Sequence, residues 1–173
     1  MTNWPASLPR PLVIAFLMAW AWPACAADQA RRVAGLIETV VIGSPGAEFE
    51  AKLDTGADLS SISATDMTQT RRDGRPWMEF EVVRFDGTRV MLSGPLVRHT
   101  RIRRGGAAHV RRPVVELELC LGAVTRTVQV TLANRQGPNY DVLVGRNFLK
   151  GYFMVDPMLM HTRAPKCPVR AAK

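Results

Sequence analysis

Short apolar segments, each soon cut off by Gly, Pro, Asp or Ser, run through most of this sequence and restrict its fold more than any other feature. Val33 to Ile42 carries a single charge, Glu38, and ends at Gly43-Ser44-Pro45-Gly46, which predicts a strand stopped by a turn. Further strands are predicted over Ala47 to Leu53, Trp77 to Phe85, Thr88 to Leu92 (bounded by Ser93-Gly94-Pro95), Val114 to Leu121 and Val124 to Leu132. In Val114 to Leu121, Glu116 and Glu118 fall on one face and Val115, Leu117 and Leu119 on the other, so half of that strand meets solvent. Asp86-Gly87 is a favoured hairpin dipeptide, and Gly105-Gly106 sits at the tip of a second hairpin predicted from Arg98 to Val110. Only Arg146 to Phe153, which follows a Gly and lacks β alternation, reads as a short helix. The pattern predicts an all-β domain, closed and barrel-like or two-layered. A chain of 173 residues has room for one such core and not two.

Residues 1–26 differ from the rest. Arg10 precedes the apolar run Leu12 to Trp22, and Pro23-Ala24-Cys25-Ala26 follows. The run is short for a bilayer span, and Ala24-Cys25-Ala26 offers the small residues a signal peptidase needs. The expectation is a signal peptide over 1–26, a mature periplasmic chain from Ala27 with its domain over 27–160, and a tail over 161–173. An uncleaved N-terminal anchor is one alternative. A lipoprotein acylated at Cys25 is another, weakened by Trp22 and Pro23 where small aliphatic residues are wanted. The leader leaves Cys120 and Cys167 in a compartment where a disulfide persists, but the sequence does not say whether they pair.

Removing Arg10 with the leader leaves 22 basic against 15 acidic residues, a net charge of +7. The arginines cluster at Arg71, Arg72 and Arg75 and again at Arg98, Arg101, Arg103, Arg104, Arg111 and Arg112. Nucleic acid is disfavoured as a partner, because the expected export removes it from reach and no aromatic residues alternate with the arginines as a stacking platform. Solvated loop charge and acidic partners at the envelope remain as readings.

Asp54-Thr55-Gly56-Ala57-Asp58 follows the strand end Ala51-Lys52-Leu53, which places a carboxylate at a strand-to-loop corner. Alone, acid, hydroxyl and glycine are what an ordinary turn wants. The downstream run Val142-Leu143-Val144-Gly145-Arg146-Asn147-Phe148-Leu149 changes that balance. Together the two segments resemble the retropepsins, single-domain aspartic proteases in which an Asp-Thr-Gly-Ala loop lies beside a later Gly-Arg-Asn. A nearer resemblance is to the bacterial retropepsin-like family often labelled ATP-dependent zinc proteases. It rests on Gly35-Leu36-Ile37-Glu38, Ala51 to Ala57, Arg72-Asp73-Gly74 with Trp77, Arg112-Pro113-Val114-Val115, Val130-Thr131-Leu132 and Val155-Asp156-Pro157 in order. The residues support neither half of that label. His99, His109 and His161 form no His-Glu-x-x-His, the cysteines are not clustered, and no Walker loop is present, so neither a metal nor any other cofactor is expected.

The resemblance implies a retropepsin-like acid-protease fold and a peptidase acting on peptide or protein substrates. Peptide hydrolysis of this kind needs two carboxyl groups sharing a proton. Asp28, Asp66, Asp73, Asp86, Asp141 and Asp156 are followed by neither Thr-Gly nor Ser-Gly, so the second carboxylate is expected from another copy in a twofold homodimer. Asp54 is then the catalytic acid, Thr55 a cross-axis brace and Gly56 the point of close backbone approach. Ala57 and Asp58 would line the substrate cleft, Asp58 would pair with Arg146 beneath it, and Gly145 would pack under the loop. Gly105 and Gly106 are candidates for a flap over the substrate, or else the tip of an irregular loop. The competing reading is a peptide-binding module of the same fold that does no chemistry.

Overall fold

The computed structural model describes residues 31–43, 46–84, 86–102, 110–134 and 140–167. The expected leader and the tip carrying Gly105 and Gly106 lie outside them. The strands in chain order are β1 (Arg32–Ile42), β2 (Ala47–Leu53), β3 (Ser60–Ser63), β4 (Thr65–Arg72), β5 (Arg75–Val83), β6 (Arg89–Ile102), β7 (Val110–Leu121), β8 (Val124–Ala133), β9 (Val142–Val144) and β10 (Phe153–Met160). One helical turn, α1 (Arg146–Leu149), separates β9 from β10. The all-β expectation with one short helix is met.

The strands lie in the order β10-β1-β2-β9-β3-β8-β7-β6-β5-β4. An added pairing of β1 with β7, Val40 to Ile42 against Leu121 to Leu119, joins β1, β2, β9, β3, β8 and β7 into a partly closed barrel. β10 pairs in parallel with the first half of β1, on the same edge that β7 occupies further along. The period-two pattern decides which faces turn inward. In β2, Phe49, Ala51 and Leu53 are buried while Glu48, Glu50 and Lys52 are exposed. The core gathers these with Val40, Ile42, Ile62, Val115, Leu117, Leu119, Val130, Leu132, Val142, Val144 and Phe148.

Strands β3, β9 and β10 were not among those expected, and four further features depart from expectation. Ser93-Gly94-Pro95 is no turn: β6 runs through it, pairing with β5 over Arg89 to Pro95 and with β7 from Leu96 onward. It is a corner at which one strand passes from one partner to another, and a Cβ on Gly94 would stand 2.6 Å from the Glu116 carbonyl oxygen. β4 was not anticipated, because Thr-Asp-Met-Thr-Gln-Thr-Arg-Arg has no apolar alternation. It forms as an edge strand, joined to β5 by a tight turn with φ of 49° at Asp73 and 76° at Gly74. The helix expected over Arg146 to Phe153 ends at Leu149, and Phe153 already begins β10.

The fourth departure concerns the segment after Met160, expected as a tail. His161 N–H donates to the Ile37 carbonyl at 2.8 Å, Lys166 N–H donates to the Gly122 carbonyl at 2.7 Å, and Cys167 is disulfide-bonded to Cys120 of β7. Residues 161–167 are therefore a strap fastened across β1 and the β7–β8 turn. Its middle is clasped by Glu38, which is fully buried on the inner face of β1. The Glu38 carboxylate accepts from Gly35 N–H, Thr162 N–H, the Thr162 hydroxyl and Arg163 N–H. Burial alone would raise its pKa, but these four donors outweigh burial and hold the carboxyl below its ordinary value.

Candidate active site

Asp54 is the first residue after β2. The parallel β2–β9 pairing brings Leu53 beside Val144 and extends through Asp54 N–H, which donates to the Val144 carbonyl at 2.9 Å. The two sequence motifs are thus adjacent because the strands that end in them are paired. Asp54 Oδ1 accepts from the N–H groups of Gly56 at 2.9 Å and Ala57 at 3.2 Å, which fixes the carboxylate over its own turn. Thr55 and Gly56 are exposed at the tip of this turn.

Arg146 braces the loop from the side. Its Nη1 donates to the carbonyls of Thr55 and Gly56, each at 2.9 Å, and its Nη2 donates to Asp58 Oδ1. The Asp58 side chain is 86 % exposed and that of Arg146 45 %, so in the single chain the pair lies at the surface. In that setting its net Coulomb contribution is at most about 1 kcal/mol, and its role is to fix the loop's shape. The backbone repeats the connection: Arg146 N–H donates to the Ala57 carbonyl and Asn147 N–H to that of Asp58, at 2.8 and 3.1 Å.

Beneath the loop, Gly145 packs so closely that a Cβ there would stand 2.6 Å from the Leu59 carbonyl carbon and 2.9 Å from Ser60 N. Glycine is required for space, since its φ of −89° is open to any residue. Ser60 and Asn147, to which sequence reasoning gave no role, complete the support. Asn147 Oδ1 accepts from Ser60 N–H and the Ser60 hydroxyl at 3.0 and 2.9 Å, and Asn147 Nδ2 donates to the Gln129 carbonyl at 2.7 Å. Ser60 Oγ accepts from Gly145 N–H at 3.0 Å, while the Thr131 hydroxyl donates to the Ser60 carbonyl at 3.3 Å. The Asn147 half of this network was visible only as the third letter of Gly-Arg-Asn. Ser60 carried no signal of its own.

The structure therefore brings together Asp54, Thr55, Gly56, Ala57, Asp58, Gly145 and Arg146, while Gly105 and Gly106 lie outside the described residues. A carboxylate held by two N–H groups in an exposed loop over a rigid hydrogen-bonded base can act as an acid–base group toward a ligand on that surface.

Comparison with known proteins bears on the fold and the site together. Curated relatives named probable alpha-L-glutamate ligase include one from Shewanella pealeana, 30% identical over 63% of this chain and 24% of its own length. Another, from Desulfotalea psychrophila, is 31% identical over 64% of this chain and 25% of its length. The chain thus spans about a quarter of the curated relatives it matches. Among solved structures, Lpg0085 of Legionella pneumophila, a protein of unknown function (DUF785), superposes with a TM-score of 0.67 at 32% identity, covering 76% of this chain and 97% of that one. The sequence model of the RimB-like family, described as retropepsin-like aspartic endopeptidase RimB, matches residues 33–166, from the first strand to the strap. With the Asp54 loop seated against Gly145-Arg146-Asn147 in an all-β fold, the chain belongs to the RimB-like family of retropepsin-like aspartic endopeptidases.

Proposed function

We propose that this protein is an exported aspartic endopeptidase that works as a homodimer, each copy supplying one Asp54. The observation that carries this reading is the Asp54 loop itself: a complete, braced Asp-Thr-Gly turn exposed at the surface of a chain that holds only one. A twofold axis through that surface would set two Asp54 carboxyl groups side by side sharing one proton. The ionised one takes a proton from water, whose oxygen attacks the peptide carbonyl carbon. The protonated one gives its proton to the carbonyl oxygen. Collapse of the tetrahedral species, with proton transfer to the leaving nitrogen, breaks the C–N bond and returns the shared proton to the pair. Thr55, exposed beside the carboxylate, would meet its counterpart across the axis, and Ala57 and Asp58 would line the substrate.

The ligase name of the longer relatives is not carried over, since this chain aligns with only a quarter of their length. Export rests on the leader sequence and agrees with the Cys120–Cys167 disulfide, a bond at home in an oxidising compartment.

The test is cleavage of a peptide library from acidic to neutral pH by the parent and by Asp54→Asn. The expected loss is roughly 10³-fold at unchanged melting temperature. The parent's specific activity should also fall on dilution as the dimer dissociates. Equal activity in parent and variant would sink the peptidase reading, and saturable peptide binding without cleavage in both would leave a binding module in its place.

A further inference from the structure

β10 breaks its ladder with β1 before it ends. The parallel pairing runs evenly from Arg32 opposite Phe153 to Gly35 opposite Asp156, and the next pair is Ile37 with Met160, so β10 advances by four residues where β1 advances by two. The surplus forms a bulge at Asp156-Pro157-Met158, closed by Met158 N–H donating to Asp156 Oδ1 at 2.9 Å. Met158 stands out of it 87 % exposed, the most exposed large apolar side chain among the described residues, and Met160 is 55 % exposed. His161 follows with φ of 51°, which turns the chain off the strand direction. Its Nε2 stands 3.3 Å from Glu50 Oε1 on the neighbouring face of β2.

Met158, Met160 and His161 thus place two thioether sulfurs and an imidazole within four consecutive residues at the surface. A carboxylate beside Nε2 favours the ring proton there and leaves the Nδ1 lone pair for a ligand, the arrangement that orients a metal-binding imidazole. On that exposed face of β2, Glu48 and Glu50 outnumber Lys52, which favours a cation. Methionine side chains are unbranched with three rotatable bonds, so both sulfurs can swing toward an ion that the imidazole anchors.

We infer that Met158, Met160 and His161 form a binding site for a soft monovalent cation, Cu(I) or Ag(I), with Glu50 orienting the imidazole. The donors choose the ion: thioether sulfur suits soft cations, whereas Mg(II) and Ca(II) want oxygen and Zn(II) wants imidazole, thiolate or carboxylate. Those harder ions have no site of their own, since among the described residues no three His, Cys, Asp or Glu side chains gather to hold a metal. His-Glu-x-x-His and paired cysteines are signs of Zn(II), and their lack in the sequence says nothing about an ion that prefers thioethers.

The experiment titrates the purified protein with silver nitrate in chloride-free buffer, followed by calorimetry and by NMR of methionine methyl groups, with Zn(II) in parallel. Iodoacetamide first blocks any free thiol, such as that of Cys25. Ag(I) needs no reductant, so the Cys120–Cys167 bond stays intact. About one equivalent should bind and shift the Met158 and Met160 methyl signals. Met158→Leu/Met160→Leu keeps the side-chain volume and removes both sulfurs, and His161→Asn removes the imidazole with a residue that tolerates the positive φ. Each should weaken Ag(I) binding by about tenfold or more while leaving the silver-free melting temperature level. Met91→Leu removes a thioether that is 63 % exposed elsewhere and should change nothing. The inference is overturned if Ag(I) does not bind, if the Leu pair or His161→Asn binds it as the parent does, if Met91→Leu weakens it equally, or if Zn(II) binds more tightly than Ag(I). None of these outcomes depends on Asp54.

Discussion

Glu38 shows how a single residue can tie the ends of this chain together. Its buried carboxylate faces hydroxyl and N–H donors, three of them contributed by Thr162 and Arg163 of the strap, more than 120 positions away. Glu38→Gln would turn an NH2 group toward an N–H donor and leave that donor unsatisfied, at a cost of about 2 kcal/mol, readable as a lower denaturation midpoint. Because the folded carboxyl titrates below its unfolded value, its stabilisation is complete above the unfolded pKa and is lost as pH falls through the lower folded one. The melting temperature of the parent should therefore drop more steeply than that of Glu38→Gln on acidification below about pH 4.5, where an unfolded glutamate begins to protonate. Asp54 and Arg146 were legible in the sequence because they occur in short motifs whose neighbours identify them. Glu38 was visible as a motif letter but its role was not, and Ser60 was not visible at all, since each takes its role from partners that only the fold supplies; Ser60 meets Asn147 across 87 positions.

Among the elements, strands with clean alternation, such as β2 and the second half of β7, were readable because one face had to be buried. β4 was not, since an edge strand with one partner needs no apolar face. β6 misled for a different reason: Ser-Gly-Pro signals a turn when only local chain geometry is weighed, and here it lets one strand change partners. Pro95 lies opposite Trp77 at the end of the β5 pairing, and Gly94 lets the backbone of β7 pass close by. Gly94→Val should force β6 away from Glu116 and Leu117 and cost about 3 kcal/mol, measured by chemical denaturation, with the slope of the transition unchanged.

For the whole molecule, the barrel is completed by pairings between distant parts of the chain, and the strap secures them. The Cys120–Cys167 bond spans 47 residues, a loop whose closure restricts the unfolded chain by about 4 kcal/mol. Cys167→Ser should lower the denaturation midpoint accordingly. Because the bond fastens the strap and not the Asp54 loop, any catalytic activity measured well below the melting temperature should survive the change. Whether the two cysteines paired could not be read from the sequence, because pairing depends on where residues 161–167 run, and that route is set by Glu38 and by Gly35. A Cβ on Gly35 would stand 2.4 Å from the Leu159 carbonyl oxygen, so the crossing chain leaves no room for a side chain there.

The parallel pairing of β10 with β1 has a kinetic consequence. The first strand of the described residues waits for the last of them to be made, so the edge of β1 from Arg32 to Ile37 stays unfilled until Phe153 and its successors have emerged. Until then this polypeptide has no finished native state to fall into, and a chain stopped short of that point holds a fold with one seam still open.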